Sequence, residues 1–441
     1  MDKTSFSPFA SIESVHPAKI LIHNIITKNK AVIFLIYINL PEYNFINIIT
    51  KILIIYKEVF DINIYEVKSG DSVYTIAQNF AVSPYEIIIN NGLTPPYSLV
   101  PGQSLVISYD YNKTKSAAVL GYAYPNAEES VLREAMYYTG YLSPFTYGFT
   151  EDGTIINLDD FAIRNIAFSL GKQCLMHLST LTESGGFNSE LGSYLLNTPS
   201  LWQTIKNNIV SIIQQKGFAG LDIDFEFLPG EDAPKYAEFV GYLRQSLNPL
   251  GYVVVTALAP KSSDTQQSDF YKGHDYALLA QNSDYCFLMT YEWGYTYGPP
   301  QAISPITGVR NVLNYALSKM APNKILLGIS NYAYDWTLPY VSGKSRAKLI
   351  GNEEAVRLAN YYGSNIIFDE SSASPYFNYT LDGNEHIVWF EDARSIFERF
   401  KLIEEFNLSG MGIWNLMRPF TQMYGLINAM FYQGELFTYN N

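Results

Sequence analysis

The sequence predicts an α/β protein: a (β/α)8 barrel with a small α+β insertion between its seventh and eighth strands, preceded by a small β-α-α-β module. Three observations predict it. From residue 117 onward, eight near-continuous apolar segments of strand length recur with helix-length segments between them, the pattern of a parallel sheet covered on both faces. The interval between the last two is about 60 residues too long for a single helix and holds its own hairpin signal. Residues 64–108 form a short unit with turn and cap residues at both ends of two helix-length stretches. At 441 residues the chain is long enough for a barrel-sized core plus one smaller unit.

Residues 1–61 read as an atypical extension. Positions 1–60 contain no Gly, fourteen Ile and six Lys against four acids, a composition unlike that of the rest of the chain. The apolar run "AVIFLIYINL" at 31–40 is ten residues long, whereas a bilayer span needs about 20. It also lacks the position and the small-residue cleavage site of a signal peptide, so neither a clear membrane span nor a convincing signal peptide is expected. Residues 62–109 then give a strand "IYEV", a turn "SGD", a helix "DSVYTIAQNF" opened by an Asp or Ser cap, and a second helix "SPYEIIINNG". The second helix has Ser83 as cap, Pro84 in its first turn and Gly92 as terminator, and "GQSLVIS" closes the unit as a strand. Residues 110–116, "DYNKTKS", read as a linker.

The barrel is expected over 117–432, with 433–441 as a tail. Its strands are "AAVLGYAY", "YLSPFTYGF", "QCLMHLST", "GLDIDFEF", "YVVVTALAP", "YCFLMTYEW", "KILLGISNYAYDW" and "GMGIWNL". The helix before the fourth strand, "TIKNNIVSIIQQKG", sets Ile205, Ile209, Ile212 and Ile213 on one face and ends at Gly217. The insertion, about 340–400, includes "YFNYTLDGNEHIVWF", a hairpin turning at Asp382-Gly383.

Composition narrows the partners. A formal net charge of −13 argues against nucleic acid and anionic membrane surfaces, both of which are bound through basic patches. A neutral polymer fits better, and 36 Tyr supply stacking surface as well as core. Cys174 and Cys286 each sit in an apolar run and read as buried thiols. His16, His23, His177, His274 and His386 show no ligand spacing, so no metal or other cofactor is expected.

The fourth strand carries the chemistry. Asp222, Asp224 and Glu226 alternate with Leu221, Ile223, Phe225 and Phe227, so the acids share one face and the apolar residues the other. Three like charges on one strand repel, a cost that a purely structural strand has no reason to carry. In such barrels function gathers at the carboxyl ends of the strands, where Glu226, Tyr291, Glu292, Trp293 and Trp414 fall. Adjacent acids raise one another's proton affinity and can hold a proton on the outermost, which is what glycosidic cleavage requires of its acid. A calcium loop is excluded, because its sixth position is Phe227 rather than Gly and its twelfth Ala233 rather than Glu.

Two resemblances rest on these residues. "YEVKSGDSVYTIAQNFAVSPYEIIINNGL…LVPGQSLVI" resembles a LysM module, which implies binding of N-acetylglucosamine glycans around Gly70, Asp71, Ser72, Asn91, Gly92 and Leu93. "DIDFE", "MTYEW" and "GIW" resemble the fourth-, sixth- and eighth-strand motifs of the TIM barrels of glycoside hydrolase family 18. In the family's D-x-x-D-x-D-x-E pattern the first acid is replaced here by Ala219. The resemblance implies a retaining, substrate-assisted hydrolase. Glu226 would be the acid, Asp224 would orient the substrate's acetamido group, and Asp222 would couple to Asp224. Tyr291 would bond the acetamido carbonyl, Trp414 would form the floor, and Glu292 and Trp293 would meet substrate. The phrases "MTYEW…GPP", "GISNYAYDWTLPY" and "VWFEDARS" resemble the spore-germination, cortex-lytic N-acetylglucosaminidase branch, which implies action on peptidoglycan at the spore coat, cortex or cell wall. A chitinase acting on a chitin-like polymer, or a catalytically silent glycan-binding protein, are the alternatives; Glu226 argues against the last, since a lectin has no need of a protonated acid there.

Overall fold

Apolar runs with no polar face can only be strands if both faces are covered, and that is where the eight segments lie. In the computed structural model, which describes residues 62–182, 186–266 and 268–437 and a two-residue pairing of Ile26–Thr27 with Lys30–Ala31, they supply one parallel sheet, except that the seventh segment is split: only its first half is a barrel strand, and Ala333–Thr337 joins the sheet of the insertion. Its strands are Lys115–Ala123, Tyr141–Pro144, Gln173–Ser179, Gly220–Asp224, Val253–Leu258, Tyr285–Leu288, Ile325–Ser330 and Gly410–Trp414. The eighth pairs with the first, from Gly410 opposite Ala118 to Ile413 opposite Gly121, and this closes the barrel. The reading of residues 1–61 lies outside the described residues, apart from the short pairing.

Strand alternation sorts the side chains into two cores. Leu221, Ile223 and Phe225 point outward into the layer under the helices, with Met176, Leu178, Val254 and Leu288 from neighbouring strands. Leu120, Leu175, Val255 and Phe287 fill the barrel interior. On the fourth strand the interior positions are Asp222 and Asp224, both buried. The helix Trp202–Lys216 buries Ile205, Ile209 and Ile213 and stops at Gly217, whose φ of 73° is the left-handed conformation glycine adopts without strain.

The insertion is a five-stranded antiparallel sheet, in the order Lys348–Ile350, Ala333–Thr337, Asn384–Trp389, Ser374–Leu381 and Ile367–Asp369, with the helix Asn352–Tyr362 against it. The hairpin turns at Asp382 (φ 52°) and Gly383 (φ 79°), with Leu381 opposite Asn384. At the other end of the barrel, Phe431–Gln433 adds a parallel strand beside Lys115–Ala117. The chain beyond it is held where the backbone N–H groups of Leu436 and Phe437 donate to the hydroxyls of Tyr141 (2.8 Å) and Tyr285 (3.0 Å).

The N-terminal module has strands Ile62–Glu66 and Ser104–Tyr109 and helices Val73–Phe80 and Pro84–Asn90, capped by Ser72 and Ser83. It is packed on the barrel. Ile62 and Val106 share the core under the barrel helices, and the Gln422 amide donates to Asn91 Oδ1 and to the Ser104 carbonyl, both at 2.9 Å. Arg394 donates to the Gly102 carbonyl (2.9 Å), and the N–H of Ile366 to the Pro101 carbonyl (2.9 Å). Gly425 lets Tyr109 approach, since a Cβ there would stand 2.0 Å from its hydroxyl oxygen. Within the 110–116 segment, Tyr111 donates to the Glu404 carboxylate and Lys115 to Asn407 Oδ1 (2.7 Å), so the joint is tied along its length. A chain begun at Tyr111 is therefore expected to melt roughly 5 °C or more below one begun at Ile62, because it exposes the apolar surface that Ile62, Val106 and Tyr109 cover. Equal melting temperatures would show that the packing contributes nothing to stability.

Candidate active site

Four carboxylates gather at the carboxyl end of the barrel, and among the described residues none of them has a cationic partner. Asp222 is fully buried; its Oδ2 accepts from Ser143 Oγ at 2.8 Å, and Tyr122 stands beside it. Burial pushes its carboxyl up to about 7. Asp224 is 7% exposed, its Oδ1 has no hydrogen-bond partner among the described residues, and its Oδ2 lies 3.7 Å from His177 Nε2. Burial, then the charges of Glu226 and Asp222, raise its proton affinity well above the ordinary carboxylate value. Glu226, just past the strand end, is pushed up to about 7 by burial and then by the charge of Glu292. Tyr291 is buried among them, its hydroxyl held protonated by burial and by the charges of Asp224 and Glu226.

Glu292 has a positive φ of 65°, a conformation uncommon for a residue with a side chain, and accepts from the Tyr334 hydroxyl at 3.0 and 3.3 Å. Trp414 ends the eighth strand with its ring 4.7 Å from that of Phe145 and 6.0 Å from that of Tyr124. Ala219 lies with the apolar interior of the barrel, so the place of the missing motif acid is taken by a methyl group.

These groups line one cleft of about 250 Å³. Asp224, Glu226, Tyr291, Glu292 and Trp414 meet in it, and Asp222 backs it from below. Trp293 does not reach it: the indole is packed against Gly308 in the outer layer, where a Cβ would stand 2.9 Å from the ring. Sequence reasoning missed His177, Tyr124, Phe145 and Phe187, which form part of the wall, and the pair Phe227, exposed, and Phe270, half-buried, whose rings are 5.2 Å apart. Their one signal was that His177 interrupts an otherwise apolar strand, in register with Asp222.

Of the module residues, Asp71 accepts from Tyr65 (2.8 Å) and from the Lys68 N–H (2.7 Å), and Ser72 caps a helix. Asn91 is buried, bonded to Ile87 and to both backbone groups of Val106. Gly92 faces Thr421 of the barrel, while Gly70 is open on its surface. Asn91, Gly92 and Leu93 border a second, larger cavity of about 340 Å³ against the helix Asn352–Tyr362, away from the four carboxylates. Among the described residues no group of three or more His, Cys, Asp or Glu side chains converges as a metal site would require.

The cluster can hold a proton on a carboxyl near neutral pH and present it to a bound ligand. If Glu226 acts in its protonated form, turnover falls as pH rises through about 7. Removing the neighbouring charge in Glu292→Gln lowers the proton affinity of Glu226, so that limb moves to lower pH. Rate profiles of the two proteins check this, and coincident limbs would refute the coupling.

Residues 108–418 match glycosyl hydrolases family 18, and residues 65–108 match the LysM domain. The cortical fragment-lytic enzyme of Bacillus subtilis (strain 168) is 36% identical over 422 residues, covering 83% of this chain and 98% of that protein. The enzyme of the same name from Bacillus cereus is 34% identical, covering 83% and 97%. The crystal structure of the Bacillus cereus spore cortex-lytic enzyme SleL superposes with a TM-score of 0.81 at 32% identity, covering 85% of this chain and 100% of that one. A chitinase from Chromobacterium violaceum, at 22% identity and a TM-score of 0.66, shares the fold.

Proposed function

Since this chain belongs to glycosyl hydrolase family 18 and is a glycoside hydrolase, we propose that it cleaves spore-cortex peptidoglycan beside N-acetylglucosamine by a retaining, substrate-assisted route. The observation that carries the chemistry is the pairing of Glu226, whose carboxyl holds its proton to about pH 7, with the buried, under-bonded Asp224 two residues before it. Glu226 gives its proton to the leaving glycosidic oxygen. The substrate's own 2-acetamido oxygen attacks the anomeric carbon, and Asp224 accepts the acetamido N–H and stabilises the charge that develops on it. Tyr291 donates to the acetamido carbonyl, and Trp414 packs under the sugar ring. Asp222, bonded to Ser143, adds negative charge behind Asp224, and Glu292 tunes Glu226.

The cortex as substrate is supported by the names of the relatives that match nearly from end to end and by the module, which we propose holds the enzyme on N-acetylglucosamine polymer at the cortex or cell wall. Digesting spore-cortex fragments and chitin oligomers side by side, with mass analysis of the products, tests it. Faster release from the cortex fragments is expected; equal or faster cleavage of chitin oligomers would overturn the substrate assignment.

A further inference from the structure

We propose that the cavity between the N-terminal module and the insertion is a second glycan site, which takes one N-acetylated hexosamine unit of a neutral polymer; the proposal rests on the role given above to the module. The cavity measures about 340 Å³, larger than the catalytic cleft and within the range of roughly 300 to 1,000 Å³ that holds small ligands. One wall is the module loop that follows the helix Pro84–Asn90, and the other is the helix Asn352–Tyr362 of the insertion. Gly70, Asp71 and Ser72, on the module's other loop, do not line it, so a ligand held here meets the insertion in place of that loop.

Close approach on both sides fixes the cavity. Gly92 lies against the barrel: a Cβ there would stand 2.6 Å from Thr421 Oγ1, and Thr421 donates through its N–H (3.0 Å) and its hydroxyl (3.1 Å) to Glu353 of the insertion helix. Gly102 lies against the insertion, where a Cβ would overlap the Ile366 carbonyl, and the Ile366 N–H donates to the Pro101 carbonyl at 2.9 Å. With positions 92 and 102 pinned, the loop between them spans an open space, and Pro95 and Pro96 stiffen the span. A strand held there is gripped by the module and the catalytic body together, so the module acts as a fixed hold and not as a tether on a free linker.

Its surfaces match an N-acetylated sugar. Val356, Ile366 and Phe390 give an apolar side for methyl and C–H groups. The side chains of Thr94, Ser98 and Asn360 are exposed and have no hydrogen-bond partner among the described residues, which leaves donors and acceptors for hydroxyl and acetamido groups. At the rim stands Tyr361, 81% exposed yet held in place: its ring meets Tyr362 edge-on at 5.0 Å, Tyr362 stacks on Tyr379 at 4.3 Å, and Tyr379 on His386 at 4.6 Å. An exposed ring with a stack behind it offers a fixed face to the apolar side of a sugar. The charges in the walls are already paired, Glu353 with Arg357 (3.9 Å), Glu391 with Arg399 (3.3 Å) and Asp392 with Arg394 (2.7 Å), so the cavity favours a neutral ligand over an anionic one.

Sedimentation of the full chain with insoluble cortex peptidoglycan and with insoluble chitin, in the cold, tests the site. Tyr361→Ala is expected to weaken binding to both polymers about 3- to 10-fold, and Tyr361→Phe, which keeps the ring, to stay within about twofold of the parent. Tyr137→Ala removes a similarly open ring on the helix Glu129–Tyr138, outside the cavity, and is expected to change nothing. Thr94→Arg fills the cavity with a longer, charged side chain and is expected to weaken binding as much as Tyr361→Ala does. Unchanged binding in Tyr361→Ala or in Thr94→Arg, at an unaltered melting temperature, would refute the site. A loss on cortex without a loss on chitin would show a peptide ligand in place of the sugar, and tighter binding in Thr94→Arg an anionic one; either result overturns the assignment. Should Thr94→Arg not fold, the two Tyr361 variants decide, since that ring lies on the surface. Failure of the functional reading appears separately, as an unsubstituted chain that sediments with neither polymer.

Discussion

Glu226→Gln is expected to lower turnover by about 10³-fold while leaving glycan binding and the fold intact. Glutamine has the same shape and no proton to give, and no other carboxyl with a comparable position at the strand end replaces it. The same substitution changes how stability depends on pH, with a sign that can be worked out. Burial raises the Glu226 carboxyl from about 4.3 in an unfolded chain to about 7. Its contribution is therefore fully present below about pH 4 and is lost as pH rises through about 7. Glutamine carries no such loss, so the variant should melt at an equal or higher temperature than the parent at pH 8 and should lose that advantage at pH 4. Initial rates on a soluble N-acetylglucosamine oligomer and thermal melts at the two pH values decide it. Near-normal hydrolysis by the variant would end the case for Glu226 as the acid.

Asp224→Asn is expected to reduce turnover by about 10²-fold or more, and to weaken a thiazoline mimic of the cyclised acetamido intermediate by a comparable factor. Asparagine can still accept the acetamido N–H, but it brings no negative charge to the positive charge that grows there. Its amide also adds donors beside Asp222 and Glu226, which upsets the proton sharing of the cluster. The parallel loss in rate and in analogue binding is the telling result, since a merely misfolded variant would lose melting temperature as well. Trapping of a glycosyl-enzyme ester by mass spectrometry would instead show a protein carboxylate as nucleophile.

The parts of this protein that its sequence determined by itself are those set by local periodicity and by single backbone positions. The eight strands, the inward turn of Asp222 and Asp224, the caps Ser72 and Ser83, the stop at Gly217 and the hairpin at Asp382-Gly383 each depend on residues within a few positions of one another. What only the tertiary structure decided depends on which strands become neighbours and how deeply they lie. Ser143 on the second strand and His177 on the third reach the acids of the fourth across gaps of 79 and 47 residues, and no local spacing marks them. Trp293 shares the motif "MTYEW" with Tyr291 yet turns to the outer layer, because the chain leaves the strand with Glu292 at positive φ and the alternation breaks. The module's helices are legible in sequence, but its seat on the barrel rests on Gln422, Arg394 and Gly425, more than 280 residues further on. The proton affinity of the site was decided in the same way: the acids are written in one short strand, but their carboxyls are driven upward chiefly by desolvation, which exists only once the barrel has closed around them.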